Sequence, residues 1–249
     1  MSAHSASHRR GWLSALVAQV SDYVFEEVGE TVEQPKELVA HPVVAVVAAA
    51  PRAGASTVGR LLAAELATRA DGAAIVVAAG PSRRAAPPSR AAIRLATAMA
   101  GLADAQPVGR LCIARVPAGS ESAARSESAA DGASARAGIV NAARYLAPVV
   151  LDLPADGSAA GIRRVADRIA IVGAGSGEPA LLSAVAAVIG GHPVKVVTRV
   201  GDPADWQQRA DILLPDSRIA ARAASLGTRA LGSVGSGIAA LADALEAGQ

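Results

Sequence analysis

The sequence predicts an α/β fold, in which a doubly wound and mostly parallel sheet of about seven strands lies between helices. Short apolar runs rich in valine and isoleucine alternate along the chain with longer helix-like stretches. Most of these runs are continuously apolar, which is typical of parallel strands buried on both faces. Because 51% of residues are hydrophobic but only 2% are aromatic, we expect a core of alanine, valine, leucine and isoleucine.

The first segment, residues 1–41, is predicted to hold a disordered polar start, an amphipathic helix and a linker. Apolar residues recur with helical spacing over Trp12–Val32. Such a helix either packs on the main domain or docks on a protein partner or a membrane surface. Glu26 and Glu27 weaken the membrane interpretation, because anionic lipid repels them. Prolines at 35 and 42 mark the linker that leads into the main domain, residues 42–249.

The main domain is predicted to alternate strands and helices along its whole length. The expected strands are Val43–Ala48, Ala74–Ala78, Arg110–Val116, Pro148–Leu153, Arg168–Val172, Val194–Val200 and Ile212–Leu214. The expected helices are Val58–Arg69, Arg90–Gly101, Ala137–Leu146, Ala159–Val165, Glu178–Ile189, Asp202–Arg209, Arg218–Leu226 and Ser236–Glu246. This order favours helices on both faces of the sheet.

Two segments interrupt the alternation and are predicted to be surface loops. Residues 118–138 form a low-complexity stretch with a near repeat of Ser-Glu-Ser-Ala-Ala. Residues 80–90 are rich in proline and arginine. The arginines between Arg83 and Arg94 raise the alternative that this region binds DNA or an acidic partner.

Charge and cysteine content are consistent with a cytoplasmic protein. The net charge is +2, and the calculated isoelectric point of about 9.1 does not by itself indicate nucleic-acid binding. The single cysteine, Cys112, excludes an internal disulfide and lies in an apolar run, so we expect a buried and unreactive thiol. The sequence begins with a polar segment rather than a signal peptide.

A glycine-containing turn between the first strand and the first helix resembles a phosphate-binding loop. The motif G-x-x-x-x-G-K-[ST] places backbone amides around phosphates, a lysine against their charge and a hydroxyl on Mg²⁺. Here Gly54 supplies the second glycine and Ser56 the hydroxyl, but the first glycine is Ala49 and the lysine position is Ala55. The two lysines of the chain, Lys36 and Lys195, lie far from the loop in sequence. The motif therefore predicts a loop whose backbone shape is kept and whose charge is lost.

The order of motifs over residues 42–249 resembles the ParA/MinD-like branch of P-loop ATPases, with a deviant Walker A loop. The run Gly54-Ala55-Ser56-Thr57 is most similar to the loops of CpaE/TadZ-like and septum-site-determining-like members. Aligned on Gly54, the signature lysine of the family falls on Ala50. The acidic motif that ends the second strand in the family is replaced by Ala78-Ala79, whereas Asp152-Leu153-Pro154 matches its Walker B segment.

The resemblance implies a set of nucleotide-contacting residues. They are Arg52, Ala53, Gly54, Ala55, Ser56, Thr57 and Asp152 on the phosphate side and Thr198, Arg199 and Pro215 on the base side. Ser56 and Asp152 would hold Mg²⁺ if a magnesium nucleotide binds. Arg52 either folds over the phosphates in place of lysine or points to solvent.

These departures leave three hypotheses for the function. The first is a non-hydrolysing or weakly nucleotide-binding scaffold, positioning or regulatory subunit, which binds no cofactor or only weakly ATP or ADP with Mg²⁺. The second is a slow ATPase switch for pilus assembly or for positioning at the cell pole or septum. The third is a module that binds DNA or an acidic partner through residues 83–94. The resemblance implies a homodimer that acts through protein partners.

Overall fold

A computed structural model describes residues 39–77, 86–115, 129–155, 162–200, 202–206 and 208–247. The strands are β1 (Val43–Ala48), β2 (Ala74–Val77), β3 (Asp104–Val108), β4 (Leu111–Arg115), β5 (Val149–Leu153), β6 (Arg168–Ala174), β7 (Val194–Thr198) and β8 (Ile212–Leu214). The helices are α1 (Ala55–Arg69), α2 (Arg90–Met99), α3 (Ala129–Ala143), α4 (Pro179–Ile189), α5 (Arg218–Ser225) and α6 (Gly232–Ala247). No helix among the described residues is both long and apolar enough to cross a bilayer.

The strands form one sheet in the order β3-β4-β2-β5-β1-β6-β7-β8. Every neighbouring pair is parallel except β3 and β4, which are antiparallel. Strand β1 lies between β5 and β6, so the chain leaves β1 toward one edge and continues after β5 toward the other. Such a reversal opens a crevice beyond the carboxyl ends of the strands, where α/β proteins bind ligands.

Helices cover both faces of the sheet, as the alternation of runs predicted. Helices α1, α5 and α6 pack on one face, where Val44 and Val46 of β1 belong to the same buried cluster as Leu61 and Leu241. Helices α2, α3 and α4 pack on the other face, against Val43 and Ala45. The buried strands are continuous apolar runs because successive side chains enter different cores.

The termini of several helices follow local capping rules. Ser89 and Ser217 are the N-cap residues of α2 and α5, and each hydroxyl accepts a hydrogen bond from the backbone N–H three residues later, at 3.1 Å in both cases. Helix α1 differs, since its N-cap is Gly54, which has no side chain to offer. The beginning of α1 is therefore shaped by the loop that precedes it.

Several predicted elements were wrong in detail. In the described part of the helix predicted over Ala159–Val165 there is a 3-10 turn at Ile162–Arg164, and in that of the helix predicted over Asp202–Arg209 there is a 3-10 turn at Pro203–Asp205. Strand β3 was not predicted at all. Helix α3 begins at Ala129, so residues 129–138 of the predicted low-complexity loop are helical, whereas residues 118–128 lie outside the described residues. The predicted helix Trp12–Val32 and the Ala78-Ala79 pair also lie outside them.

Candidate functional site

A cleft of about 510 Å³ lies beyond the carboxyl ends of β1, β5, β7 and β8. Because these strands are parallel, the loops that follow them meet at the same edge of the sheet. The cleft is lined by all ten residues that the motifs predicted to contact nucleotide: Arg52, Ala53, Gly54, Ala55, Ser56, Thr57, Asp152, Thr198, Arg199 and Pro215. The structure thus brings together residues from distant parts of the chain, since Arg52 and Pro215 are more than 160 positions apart.

The loop between β1 and α1 makes a tight turn that backbone hydrogen bonds stabilise. The Ala49 N–H donates to the Val172 carbonyl at 2.9 Å, which extends the pairing of β1 with β6 by one residue. The Ala53 N–H then donates to the Ala50 carbonyl at 3.2 Å. Arg52 and Gly54 both have left-handed backbone conformations, with φ of 61° and 92°. A Cβ on Gly54 would lie 3.1 Å from the Thr198 hydroxyl oxygen, so the turn requires glycine for conformation and for space.

Two side chains at the end of β7 hold this loop in place. The Thr198 hydroxyl donates to the Ala53 carbonyl at 2.6 Å, and Thr198 is only 8% exposed. The Arg199 guanidinium donates to the Arg52 carbonyl. The resemblance placed both residues on the base side of a nucleotide, but these contacts are made with the loop. The shape of the loop is therefore stabilised by hydrogen bonds from these two side chains.

Asp152 and Ser56 face each other across the start of α1. Asp152 lies in β5 opposite Val46 of β1, and its carboxylate accepts a hydrogen bond from the Ser56 hydroxyl. Burial raises the pKa of the Asp152 carboxyl above its usual range. The Ser56 hydrogen bond and the positive charge of Arg60 act in the opposite direction, and burial outweighs both. The predicted magnesium pair thus exists as a contact, with the hydroxyl donating to the carboxylate.

Arg60 does not line the cleft, but its charge acts on the site, and the sequence did not point to it. It lies one helical turn after Ser56 on α1, and its charge acts on the Asp152 carboxylate. Residues four apart on a helix share a face, so the spacing from Ser56 was the available signal. The motif itself does not include this position.

The charges that line the cleft nearly balance. Among the described lining residues, the cations are Arg52 and Arg199, and the anions are Asp152 and Asp216. Ala55, at the lysine position, is 5% exposed and belongs to the apolar cluster beneath α1. The cleft therefore presents little net positive charge to a polyphosphate, in contrast to a loop that carries a lysine.

The described residues of the cleft offer groups for a phosphate and oxygen donors for a divalent cation. The first amides of α1 have no partner within the helix and lie at the positive end of its dipole, where anions bind. Gly54 lets the backbone approach a ligand closely. At the magnesium position, the Ser56 hydroxyl donates to Asp152, and the charge of Arg60 acts on that carboxylate. A hydroxyl that donates its proton keeps its lone pairs, so Ser56 and Asp152 offer the oxygen donors that Mg²⁺ takes.

The remaining residues that the sequence analysis singled out lie elsewhere. Cys112 is fully buried in β4, as predicted, and burial raises its pKa to about 12; that the thiol is unreactive stays a prediction. Arg90 and Arg94 lie on exposed positions of α2, and Arg83 and Arg84 lie outside the described residues. Binding of DNA or an acidic partner through residues 83–94 stays a prediction.

Comparison with solved structures identifies the fold. A ParA family ATPase from Chlorobium tepidum TLS is similar to this chain with a TM-score of 0.56 and 16% identity, over 82% of this chain and 98% of that one. The MinC:MinD cell division protein complex of Aquifex aeolicus is similar with a TM-score of 0.51 and 12% identity, over 83% and 96% respectively. No family model matches the sequence, and no curated protein matches it at a significant level. The chain has a ParA/MinD-like P-loop fold.

Proposed function

We propose that this chain is a ParA/MinD-like protein whose degenerate P-loop binds nucleotide weakly and does not hydrolyse it, and which serves as a scaffold, positioning or regulatory subunit. The observation that carries this proposal is the combination of a loop held by Thr198 and Arg199 with a buried alanine at the lysine position. Hydrogen bonds from Thr198 and Arg199 hold the loop, and the lysine charge that would attract a polyphosphate is missing. The chain therefore keeps the backbone shape of the loop and lacks the charge that its chemistry needs.

The expected loss of affinity follows from the missing lysine. A charge-assisted hydrogen bond contributes about 1.5–3 kcal/mol, which corresponds to about ten- to hundredfold in a dissociation constant. Both lysine positions of the family loop, Ala50 and Ala55, lack the charge. Arg52 is exposed at the edge of the cleft. Its backbone carbonyl accepts a hydrogen bond from the Arg199 guanidinium, and this contact fixes the backbone of Arg52.

A titration of fluorescently labelled ATP with the full chain in Mg²⁺ tests this proposal. We expect weak binding to the wild type and about tenfold tighter binding to Ala55→Lys, with no gain in Ala55→Met, which matches the length of lysine without its charge. Micromolar binding by the wild type that disappears in Arg52→Ala or Ser56→Ala would contradict the proposal. No gain in Ala55→Lys would show that the cradle, too, is lost.

A slow ATPase switch is the second candidate, and one observation favours it. Ser56 and Asp152 remain in direct contact, and Arg52 lines the same cleft. In this version Arg52 takes the place of lysine, and the site hydrolyses ATP slowly. Release of phosphate that requires both Arg52 and Asp152 would support the switch over the scaffold.

The scaffold role implies protein partners, and we include a homodimer and a partner-binding role for residues 12–32 in the proposal. One of the similar structures holds MinD in a complex with MinC, which is an assembly of the proposed kind. Sedimentation of the full chain, with and without residues 1–38, tests both elements. A monomer at all concentrations would contradict the dimer, and unchanged capture of a partner by the truncated chain would contradict the role of the segment.

A further inference from the structure

The two ends of the cleft carry polar groups of opposite kind. At the loop end are the first amides of α1, which have no partner within the helix, and the exposed residue Arg52. At the other end, where β8 stops and α5 begins, lies Asp216. Three strand spacings, or about 14 Å, separate the end of β8 from that of β1, so only an elongated ligand reaches both ends.

Asp216 is the uncommitted polar side chain at the β8 end of the cleft. It is exposed, and its carboxylate has no hydrogen-bond or ion-pair partner among the described residues. The neighbouring polar groups have partners. Hydrogen bonds to the carbonyls of the loop hold the Thr198 hydroxyl and the Arg199 guanidinium, and the Ser217 hydroxyl oxygen accepts a hydrogen bond in the first turn of α5. A ligand group that reaches this end therefore meets the two oxygens of Asp216.

A carboxylate selects its ligand by chemistry, because in its ionised form it only accepts hydrogen bonds. Guanine offers two neighbouring donors on one edge, N1–H and the N2 amino group, which match the two carboxylate oxygens. Adenine offers one donor there, the N6 amino group, beside the lone pair of N1, which repels a carboxylate. Two parallel hydrogen bonds to a charged group are strong and directional, so the difference between the two bases is large.

We propose that Asp216 contacts the base of a bound nucleotide and that the cleft prefers guanine to adenine nucleotides. The proposal rests on the proposed function, because it needs a nucleotide whose phosphates lie at the loop. Between the two ends, the cleft is lined by the apolar side chains of Leu214, Ala220 and Ala221, which cannot distinguish the bases by hydrogen bonds. The missing lysine weakens both nucleotides alike, so a preference between them is compatible with weak binding.

Titrations of the full chain in Mg²⁺ with GDP, ADP and IDP, followed by ligand-detected NMR, test the preference. IDP keeps the N1–H of guanine and lacks its N2 amino group. We expect GDP to bind about tenfold more tightly than ADP, with IDP between them, and we expect Asp216→Asn to lose this preference. Asp205→Asn is the matched control, because Asp205 is exposed and does not line the cleft, and it should keep the preference.

A gain of binding distinguishes a change of specificity from damage to the fold. Xanthine carries a carbonyl oxygen where guanine carries the N2 amino group, and the Asp216 carboxylate should repel this oxygen. An asparagine amide offers one acceptor for N1–H and one donor for the oxygen. XDP should therefore bind Asp216→Asn more tightly than the wild type.

The results separate this proposal from the proposed function. Equal affinity of the wild type for GDP and ADP, an unchanged preference in Asp216→Asn, or no gain of XDP binding would each overturn the role of Asp216 and leave nucleotide binding in place. Binding of no nucleotide at all, even by Ala55→Lys, would overturn both proposals.

Discussion

The hydrogen bond from Thr198 to the loop gives the sharpest prediction for stability. Thr198→Val keeps the shape of the side chain and removes only its hydroxyl. The Ala53 carbonyl, which accepts this bond at 2.6 Å, belongs to a residue that is 1% exposed. After the substitution, the carbonyl loses its Thr198 donor at a place that water reaches poorly.

The size of the effect follows from the burial of the acceptor. Leaving a buried polar group unsatisfied costs about 1–3 kcal/mol, which is more than the net contribution of an exposed hydrogen bond. Valine has nearly the volume of threonine, so no cavity adds to this loss, but the methyl that replaces the hydroxyl must move away from the Ala53 oxygen, which the hydroxyl approaches to 2.6 Å. We therefore expect the free energy of unfolding to fall by about 1–3 kcal/mol.

Urea denaturation of the wild type and the variant measures this difference. The midpoint should fall while the slope stays the same, since the exposed area on unfolding does not change. Thr97→Val is the matched control, because the Thr97 hydroxyl donates to the Ile93 carbonyl at 3.1 Å on the exposed face of α2. We expect it to change stability by less than about 0.5 kcal/mol. Equal midpoints for Thr198→Val and the wild type would refute the claim that β7 holds the loop.

Three further predictions concern the loop, the carboxylate and the thiol. Gly54→Ala should destabilise the fold by about 1–2 kcal/mol, because its φ of 92° and the Thr198 oxygen at 3.1 Å both oppose a side chain; unchanged thermal unfolding would contradict this. Burial raises the pKa of Asp152 in the folded chain above its value in the unfolded chain. At a pH between these two pKa values, the folded chain keeps a proton on Asp152 that the unfolded chain has released. Stability should fall as pH rises through that window, and Asp152→Asn should remove this fall; parallel pH profiles for the two proteins would count against it. Cys112 should resist alkylation at neutral pH until the chain unfolds, because its pKa is about 12 and it is fully buried; rapid labelling of the native protein by mass spectrometry would disprove this.

Much of the fold could be predicted from the sequence because its strands carry a strong local signal. Continuous apolar runs predicted seven of the eight strands, and the longer helix-like stretches between them predicted the six helices of the described residues. Strand β3 was missed because Asp104-Ala105-Gln106-Pro107-Val108 is polar and contains a proline. It lies at the edge of the sheet and is antiparallel to β4, which is where proline is tolerated in a strand.

The crossover between β5 and β6 shows a second limit. The sequence predicted a helix there, but the described part of this connection is a 3-10 turn followed by Asp167. The Asp167 carboxylate accepts hydrogen bonds from the Val43 N–H at 2.8 Å and from Arg144 at 3.0 Å. These contacts fix the start of β6 beside β1. They are made with residues far away in sequence, so no local sequence pattern predicts them.

The sequence predicted which residues share the cleft and did not predict the contacts between them. The motif order placed ten residues at or just after the ends of β1, β5, β7 and β8, and all ten line the cleft, whereas their contact with nucleotide stays a prediction. It did not identify that Thr198 and Arg199 bond to the loop, or that Arg60 acts on Asp152. These interactions depend on the side-chain positions of β7 and α1, which a motif of loop residues does not contain.

Release of phosphate from ATP is the measurement that tests the central proposal most directly. The full chain is incubated with Mg²⁺ and radiolabelled ATP, beside an Asp152→Ala variant purified in the same way to measure any contaminating activity. If the loop has lost its catalytic charge, the two proteins should release phosphate at the same background rate. Turnover by the wild type that is lost in Asp152→Ala would contradict the proposal and show that the site hydrolyses ATP without a P-loop lysine.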